Sequence, residues 1–206
     1  MIHLLLQMNT MSFTYFVAYF LLVVFCLVDL FLIIKFIEFV YCANIRFQPP
    51  LVSSTRKLRQ YVINQIRTNY PNAKTICEIG SGFGGLARVI ARNTDANVYA
   101  LENMPFSALV SKILDLASYC KGNKTIWCDA FKYLDNTPQK FDVAVAFLGP
   151  TLTPKIYKYK NKIDVLISLD FEIPKLKPKY VLDIGHGCTV YKKIEYPHKL
   201  FIYEFK

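Results

Sequence analysis

Two short stretches carry the residue types that bind small ligands. The first is CEIGSGFGG, residues 77–85. An acid, Glu78, ends an apolar run, and Gly80, Gly82 and Gly84 follow at alternate positions with Ser81 between the first two. Glycine lets a backbone turn tightly and approach a ligand without a Cβ in the way. A helical pattern, GLARVIARN, follows at once, and its first amides face whatever sits in the turn. The second stretch, LDIGHGCTV at 182–190, is similar only on the surface. It has no helical pattern after it, so it reads as a turn with Asp183 and His186 in structural roles.

Further acids sit at matching places. ALEN ends the next apolar run, and its Glu102 lies twenty-two residues after Gly80, where an acid accepts both ribose hydroxyls of an adenosine cofactor. Asn103 follows it. WCDAF ends the third run, and its Asp129, followed by Ala130, is placed to accept from an adenine amino group. The glycines fit both G-x-G-x-x-G and G-x-G-x-G, so the pattern alone does not exclude a nicotinamide cofactor. A P-loop is excluded, because no G-K-[ST] follows. The six cysteines form no C-x-x-C pair and the three histidines are far apart, which argues against a zinc site or a disulfide framework.

The elements that must position these residues alternate. KTICEI, NVYAL, NKTIWC, FDVAVAFL and KIDVLISLDFEI read as strands, with helical patterns after the first two. KYVLDI, TVYKKIE and KLFIYEF close the chain with strand texture and no helix. This is the pattern of a Rossmann-like α/β sheet, mostly parallel, ending in an antiparallel hairpin. STRKLRQYVINQIRTNY precedes it, with Leu58, Val62, Ile66 and Tyr70 at helical spacing, Ser53 or Ser54 as its cap, and a basic face suited to anionic headgroups. Phe147, Gly149 and Pro150 fall at the end of the fourth strand, at the edge where such sheets hold ligands, and are candidates for a substrate mouth. Ser53 and Ser54 are weaker candidates for pocket contacts. No side chain stands out as a general base.

The first forty residues are different in kind. Phe13–Ile34 is apolar apart from Thr14 and Asp29. A helix of this length spans roughly 33 Å, enough for a bilayer core. Its sixteen Leu, Ile, Phe and Val residues contribute roughly −5 to −10 kcal/mol on an insertion scale, against about +2.5–3.5 for one central acid. Insertion wins. A cleaved signal peptide would need a basic start and a small-x-small site, and MIHLLLQMNTMS and YCANI supply neither. Lys35, Arg46, Arg56, Lys57 and Arg59 all follow the run, which places the rest of the chain on the cytoplasmic (or matrix-like) face. The expected organisation is a tail at 1–12, an anchor at 13–40, a linker at 41–56 and a catalytic body at 57–206. Net charge is +10. KIYKYKNK, residues 155–162, has the basic and aromatic texture of a phosphate-binding stretch, but a solvated or lipid-facing loop fits it better than nucleic acid beside such an anchor.

Glu78 before the first glycine, Asp129 after the third strand and a body too short for an added substrate domain together resemble the class I S-adenosylmethionine methyltransferases. That resemblance implies a seven-stranded sheet and S-adenosylmethionine as cofactor. The layout is similar to a narrower family, the membrane-anchored protein-lysine methyltransferases that act on the adenine nucleotide translocase and the ATP synthase c-subunit, with small bacterial relatives. Their P-x-V-P-[ST]-like segment corresponds to PPLVSS, their D-[LI]-G-S-G-D-G-R to EIGSGFGG and their acid-Asn-Pro stretch to ALENMP, while FLGP and SLDFEIPKLKP match in position. The implied acceptor is a lysine of a membrane-associated protein. Phe83 stands where that family has Asp, and Gly85 where it has Arg. Two other readings stand beside it: a methyltransferase acting on a lipid or small molecule, and a non-enzymatic membrane protein with a decayed cofactor fold.

Overall fold

The computed structural model describes residues 2–41, 54–186 and 197–206, with side chains described from residue 13 to 37 in the first of these. The chain forms two compact units, Met1–Pro50 and Leu51–Lys206. The first contains one helix, α1 (Ile2–Tyr41). Its segment Phe13–Ile37 is long and apolar enough to cross a bilayer, and none of that window is buried. Residues 2–12, expected as a tail, continue this helix. Most of the expected linker, including Ser53, lies outside the described residues, as does the whole of the expected strand TVYKKIE.

The second unit opens with α2 (Arg56–Asn69). Thr55, in extended conformation, caps it by accepting from Leu58 N at 3.4 Å. The cap is thus one residue later than Ser54, which is used elsewhere. Leu58, Val62, Ile63 and Ile66 bury the apolar stripe, while Tyr70 ends the helix and donates to Glu204 at 3.0 Å. Then come β1 (Thr75–Ile79), α3 (Gly85–Asn93), β2 (Asn97–Glu102), α4 (Pro105–Ala117), β3 (Asn123–Trp127), α5 (Ala130–Asn136), β4 (Phe141–Ala146), a 3-10 helix (Thr153–Tyr159), β5 (Ile163–Leu169), β6 (Tyr180–Gly185) and β7 (His198–Glu204).

The seven strands form one sheet in the order β3-β2-β1-β4-β5-β7-β6. The first five in that order run parallel, and β7 lies antiparallel between β5 and β6. The order reverses between β1 and β4, and the crevice at such a switch point is where open α/β sheets hold ligands. One face of the sheet packs on α2 and α3 through Leu58, Val62, Ile66, Leu86 and Ile90. α4 covers the same face further out, with Ser111 Oγ 2.8 Å from Thr125 Oγ1 of β3. The other face packs on α5 and the 3-10 helix through Leu134, Ile156 and Tyr159.

Sequence reading missed α5 and the 3-10 helix. Only Leu134 of α5 is fully buried, so it carries no periodic stripe. Its C-terminal end is closed by a side chain from elsewhere: Lys162 Nζ donates to the carbonyls of Leu134 at 2.6 Å and Thr137 at 2.7 Å, where a cation also meets the negative end of the helix dipole. The basic stretch 155–162 is therefore partly structural. Ile156 and Tyr159 are buried, Tyr159 donates to Phe131 O at 3.1 Å, and Lys158 pairs with Asp135 at 2.7 Å.

Candidate functional site

The C-terminal ends of β1 and β2 bring Glu78 and Glu102 to either side of the glycine turn. Both carboxylates are buried. Glu102 grips the turn: Oε2 accepts from Gly82 N at 2.6 Å, and Oε1 accepts from Met104 N at 2.7 Å. A carboxylate has about four lone-pair sites, so two backbone bonds leave capacity for hydroxyl donors. Glu78 serves α3. Its N-cap residue is Gly84, which has no side chain to offer, and Glu78 Oε2 accepts instead from Ala87 N at 2.8 Å.

Burial pushes Glu78 up to about 8; the Ala87 amide, Arg59 and Arg88 work against this, and Glu102 adds to it. An acid held protonated near neutral pH is a group waiting for a cation. Ser81 points the same way. Its Oγ is buried and has no hydrogen-bond partner among the described residues, a condition that normally marks an absent ligand or water.

The turn itself is tightly fitted. Gly80 has φ +76°, and a Cβ there would lie 2.7 Å from Leu148 Cδ2, so a side chain would be both strained and obstructed. The turn is held from behind by Arg88 of α3, which donates to Phe83 O at 2.6 Å and pairs with Asp115 of α4 at 3.1 Å. Asp115 in turn accepts from Thr125 at 2.7 Å and Asn123 at 2.9 Å. Phe83 is thus held in part through its carbonyl.

The missing arginine at Gly85 has a counterpart. A Cβ on Gly85 would lie 2.6 Å from the guanidinium of Arg59, which arrives from α2. Arg59 is held there by Ser54, whose Oγ accepts from Nε at 3.0 Å and whose carbonyl accepts from the guanidinium at 2.9 Å. Burial lowers its pKa, and the charge of Glu78 opposes that. Ser54 therefore acts on the site through Arg59. Nothing in the sequence near the glycines marks Arg59; the only signal is that Gly85 has no side chain.

Asp129 is the N-cap of α5, accepting through Oδ1 from Phe131 N at 3.0 Å and Lys132 N at 3.2 Å. Ala130 opens the helix beside it. Asn103 accepts through its carbonyl from Trp127 Nε1 at 3.1 Å, on the same rim. At the end of β4, Phe147 is half-buried and stacks on Phe171 from the β5 end, with ring centroids 6.1 Å apart. Gly149 has φ +81°, and its carbonyl accepts from Thr153 N at 3.1 Å and Oγ1 at 2.9 Å; Pro150 is exposed.

Phe171 was not legible as a mouth residue, nor was the buried pair His198–Asp170 beside it, with Nδ1 2.5 Å from Oδ2. These two meet only because β7 returns along β5. Asp170 also exchanges backbone and side-chain bonds with Lys199, which gives it a structural role. Asp183 and His186 are engaged in interactions of their own. Asp183 accepts from Gly185 N at 2.8 Å, and His186 O accepts from Lys57 Nζ at 2.9 Å.

No protein-family profile matches the chain, and no curated protein does. Solved structures do. An RNA methyltransferase from Salinibacter ruber, in complex with S-adenosyl-L-homocysteine, is 15% identical over 75% of this chain and 94% of its own, with TM-score 0.60. TrmK from M. capricolum, in complex with S-adenosyl-homocysteine, is 15% identical over 71% of this chain and 68% of its own, with TM-score 0.57. A caffeoyl-CoA O-methyltransferase assignment from Staphylococcus aureus is 19% identical over 64% and 65%, with TM-score 0.50. At these identities the likeness establishes the fold: the second unit has the seven-stranded architecture of class I methyltransferases.

Proposed function

We propose that the chain is an S-adenosylmethionine-dependent methyltransferase held at a membrane by α1. The observation that carries this is the pair of buried acids, Glu78 and Glu102, on either side of a glycine turn at the switch point of this sheet. The residues fit the cofactor. Glu78 suits its ammonium, Glu102 its ribose hydroxyls and Asp129 its adenine amino group, with Gly80, Gly82, Gly84, Asn103 and Ala130 lining the path. The orphan Ser81 hydroxyl supplies a further donor. Solved neighbours of this fold carry the demethylated cofactor, which supports the reading.

When bound, the cofactor supplies an electrophilic methyl group on a sulfonium. The protein's part is positioning and desolvation. For a lysine acceptor, pKa about 10.4, only roughly one molecule in 2,500 is neutral at pH 7, equivalent to about 4.6 kcal/mol. The apolar mouth formed by Phe147 and Phe171 with Gly149 and Pro150 disfavours the ammonium and so recovers part of that. It also holds the nucleophile near the methyl carbon, the proximity effect on which such in-line transfers depend.

The acceptor we favour is a lysine of a membrane-associated protein, on the cytoplasmic (or matrix-like) side. The apolar helix and the basic residues after it support this location, and an apolar slot suits an aliphatic amine. The fold itself is neutral on the acceptor, since the neighbours include RNA and caffeoyl-CoA enzymes. Calorimetry with S-adenosylhomocysteine on the full chain tests the cofactor reading: micromolar binding that Glu102→Ala weakens at least tenfold is expected, and no binding returns the chain to a decayed fold. Tritiated methyl transfer to membrane fractions then tests the acceptor. Label in protein supports lysine, and label extracted into solvent transfers the proposal to a lipid.

A further inference from the structure

α4 is packed inside out. Its inward residues are mostly polar: beside Ala108, Ser107 and Ser111 are fully buried, and Asp115 pairs with Arg88. Its outward residues are apolar. Leu109, Ile113 and Leu116 fall at i, i+4 and i+7 along a helix of 13 residues, and each is more than half exposed. A surface helix normally shows the opposite pattern. Tyr119, 87% exposed, lies just past one end of the stripe. Trp127, 61% exposed, lies at the other end, tied to Asn103 just before the helix starts.

From residue 105 to 124 the unpaired exposed charge has one sign. Lys112, Lys121 and Lys124 are exposed, and between residues 105 and 124 the only acid is Asp115, already neutralised by Arg88. An apolar stripe with an aromatic residue at each end and lysines along its flank is the chemistry of a helix lying in a lipid headgroup layer. A protein partner would need acids to meet those lysines, whereas an anionic leaflet supplies them everywhere.

We propose that the outer face of α4, with Tyr119 and Trp127, docks on an anionic bilayer surface. This goes beyond anchoring by α1. It sets which way the body faces, with the Asn103–Trp127 rim of the crevice at the lipid boundary.

Trp127 is the sole tryptophan of the chain and reports on this directly. The full chain is reconstituted into phosphatidylcholine–phosphatidylglycerol vesicles with and without brominated acyl chains. Blue-shifted emission and quenching by the brominated lipid are expected, about twofold or more, weakening in pure phosphatidylcholine. Ile113→Asp with Leu116→Asp, both at exposed positions, abolishes the quenching while α1 still carries the protein with the vesicles. A second probe, Leu116→Trp in a Trp127→Phe background, is quenched likewise. Three results overturn the proposal: co-flotation with tryptophan unquenched, quenching indifferent to the double substitution, or protection that grows with protein density, which assigns the stripe to a second copy. Failure to float with vesicles sinks the anchor reading as well, while S-adenosylhomocysteine binding reports independently on the cofactor site.

Discussion

Glu78 is the residue on which the pH behaviour turns. Its folded-state pKa is raised from 4.5 to about 8, chiefly by burial, so the folded protein holds a proton that the unfolded chain releases. Stability from this group is therefore lost as pH climbs between those values. Ligand-free Glu78→Gln is expected to melt higher than the parent above pH 8, with the gap closing towards pH 5, each 1 kcal/mol of relief appearing as roughly 2–4 °C in a scanning calorimeter. Binding runs the other way. An ammonium ligand needs the carboxylate, so affinity for S-adenosylhomocysteine is expected to rise with pH to near 8, as Glu78 ionises. Glu78→Gln flattens the rising limb.

Arg59 sits in the same account. It is among the charges that pull Glu78 down, so Arg59→Ala is expected to move that limb to higher pH and raise the dissociation constant on the order of tenfold, as for loss of a charge-assisted contact. Adding Gly85→Arg places a guanidinium back in the space that Arg59 left and is expected to restore part of both, read by titration across pH. The acids were legible because they end strands beside glycine. Arg59, Phe171 and His198 were not, because they reach the crevice from segments distant in the chain, through packing that no local spacing records.

At the scale of elements, the helices that sequence patterning found are those with an apolar stripe, and α2, whose stripe is buried, is the clearest. Patterning fails where a helix is stabilised through its ends or buries polar groups. α5 is the first case and rests on Asp129 at one end and Lys162 at the other. This makes a double role for Asp129 separable. Asp129→Asn keeps an N-cap, whereas Asp129→Ala loses it at about 1 kcal/mol in urea unfolding. If Asp129 also meets a ligand, both variants are expected to weaken S-adenosylhomocysteine binding by a comparable factor, though only the alanine destabilises. α4 is the second case. Its pattern is amphipathic, so it was legible as a helix, but which side faced inwards was not, because Ser111 and Asp115 are satisfied only by tertiary partners.

For the whole molecule, alternation of strands and helices was enough to give the sheet and its antiparallel close, because a parallel sheet covered on both faces leaves few other ways to arrange such a pattern. The placement of β7 between β5 and β6, not beyond them, was invisible, since β7 and β6 read alike as strands. That placement has a consequence for how the protein is made. During synthesis, α1 leaves the ribosome before the body, and 156 further residues separate its end from the start of β7. Until then β5 and β6 have an empty lane between them and β6 has no neighbour at all. The nascent sheet is thus begun early and completed late, a long interval in which chaperones rather than its own strands must shield it.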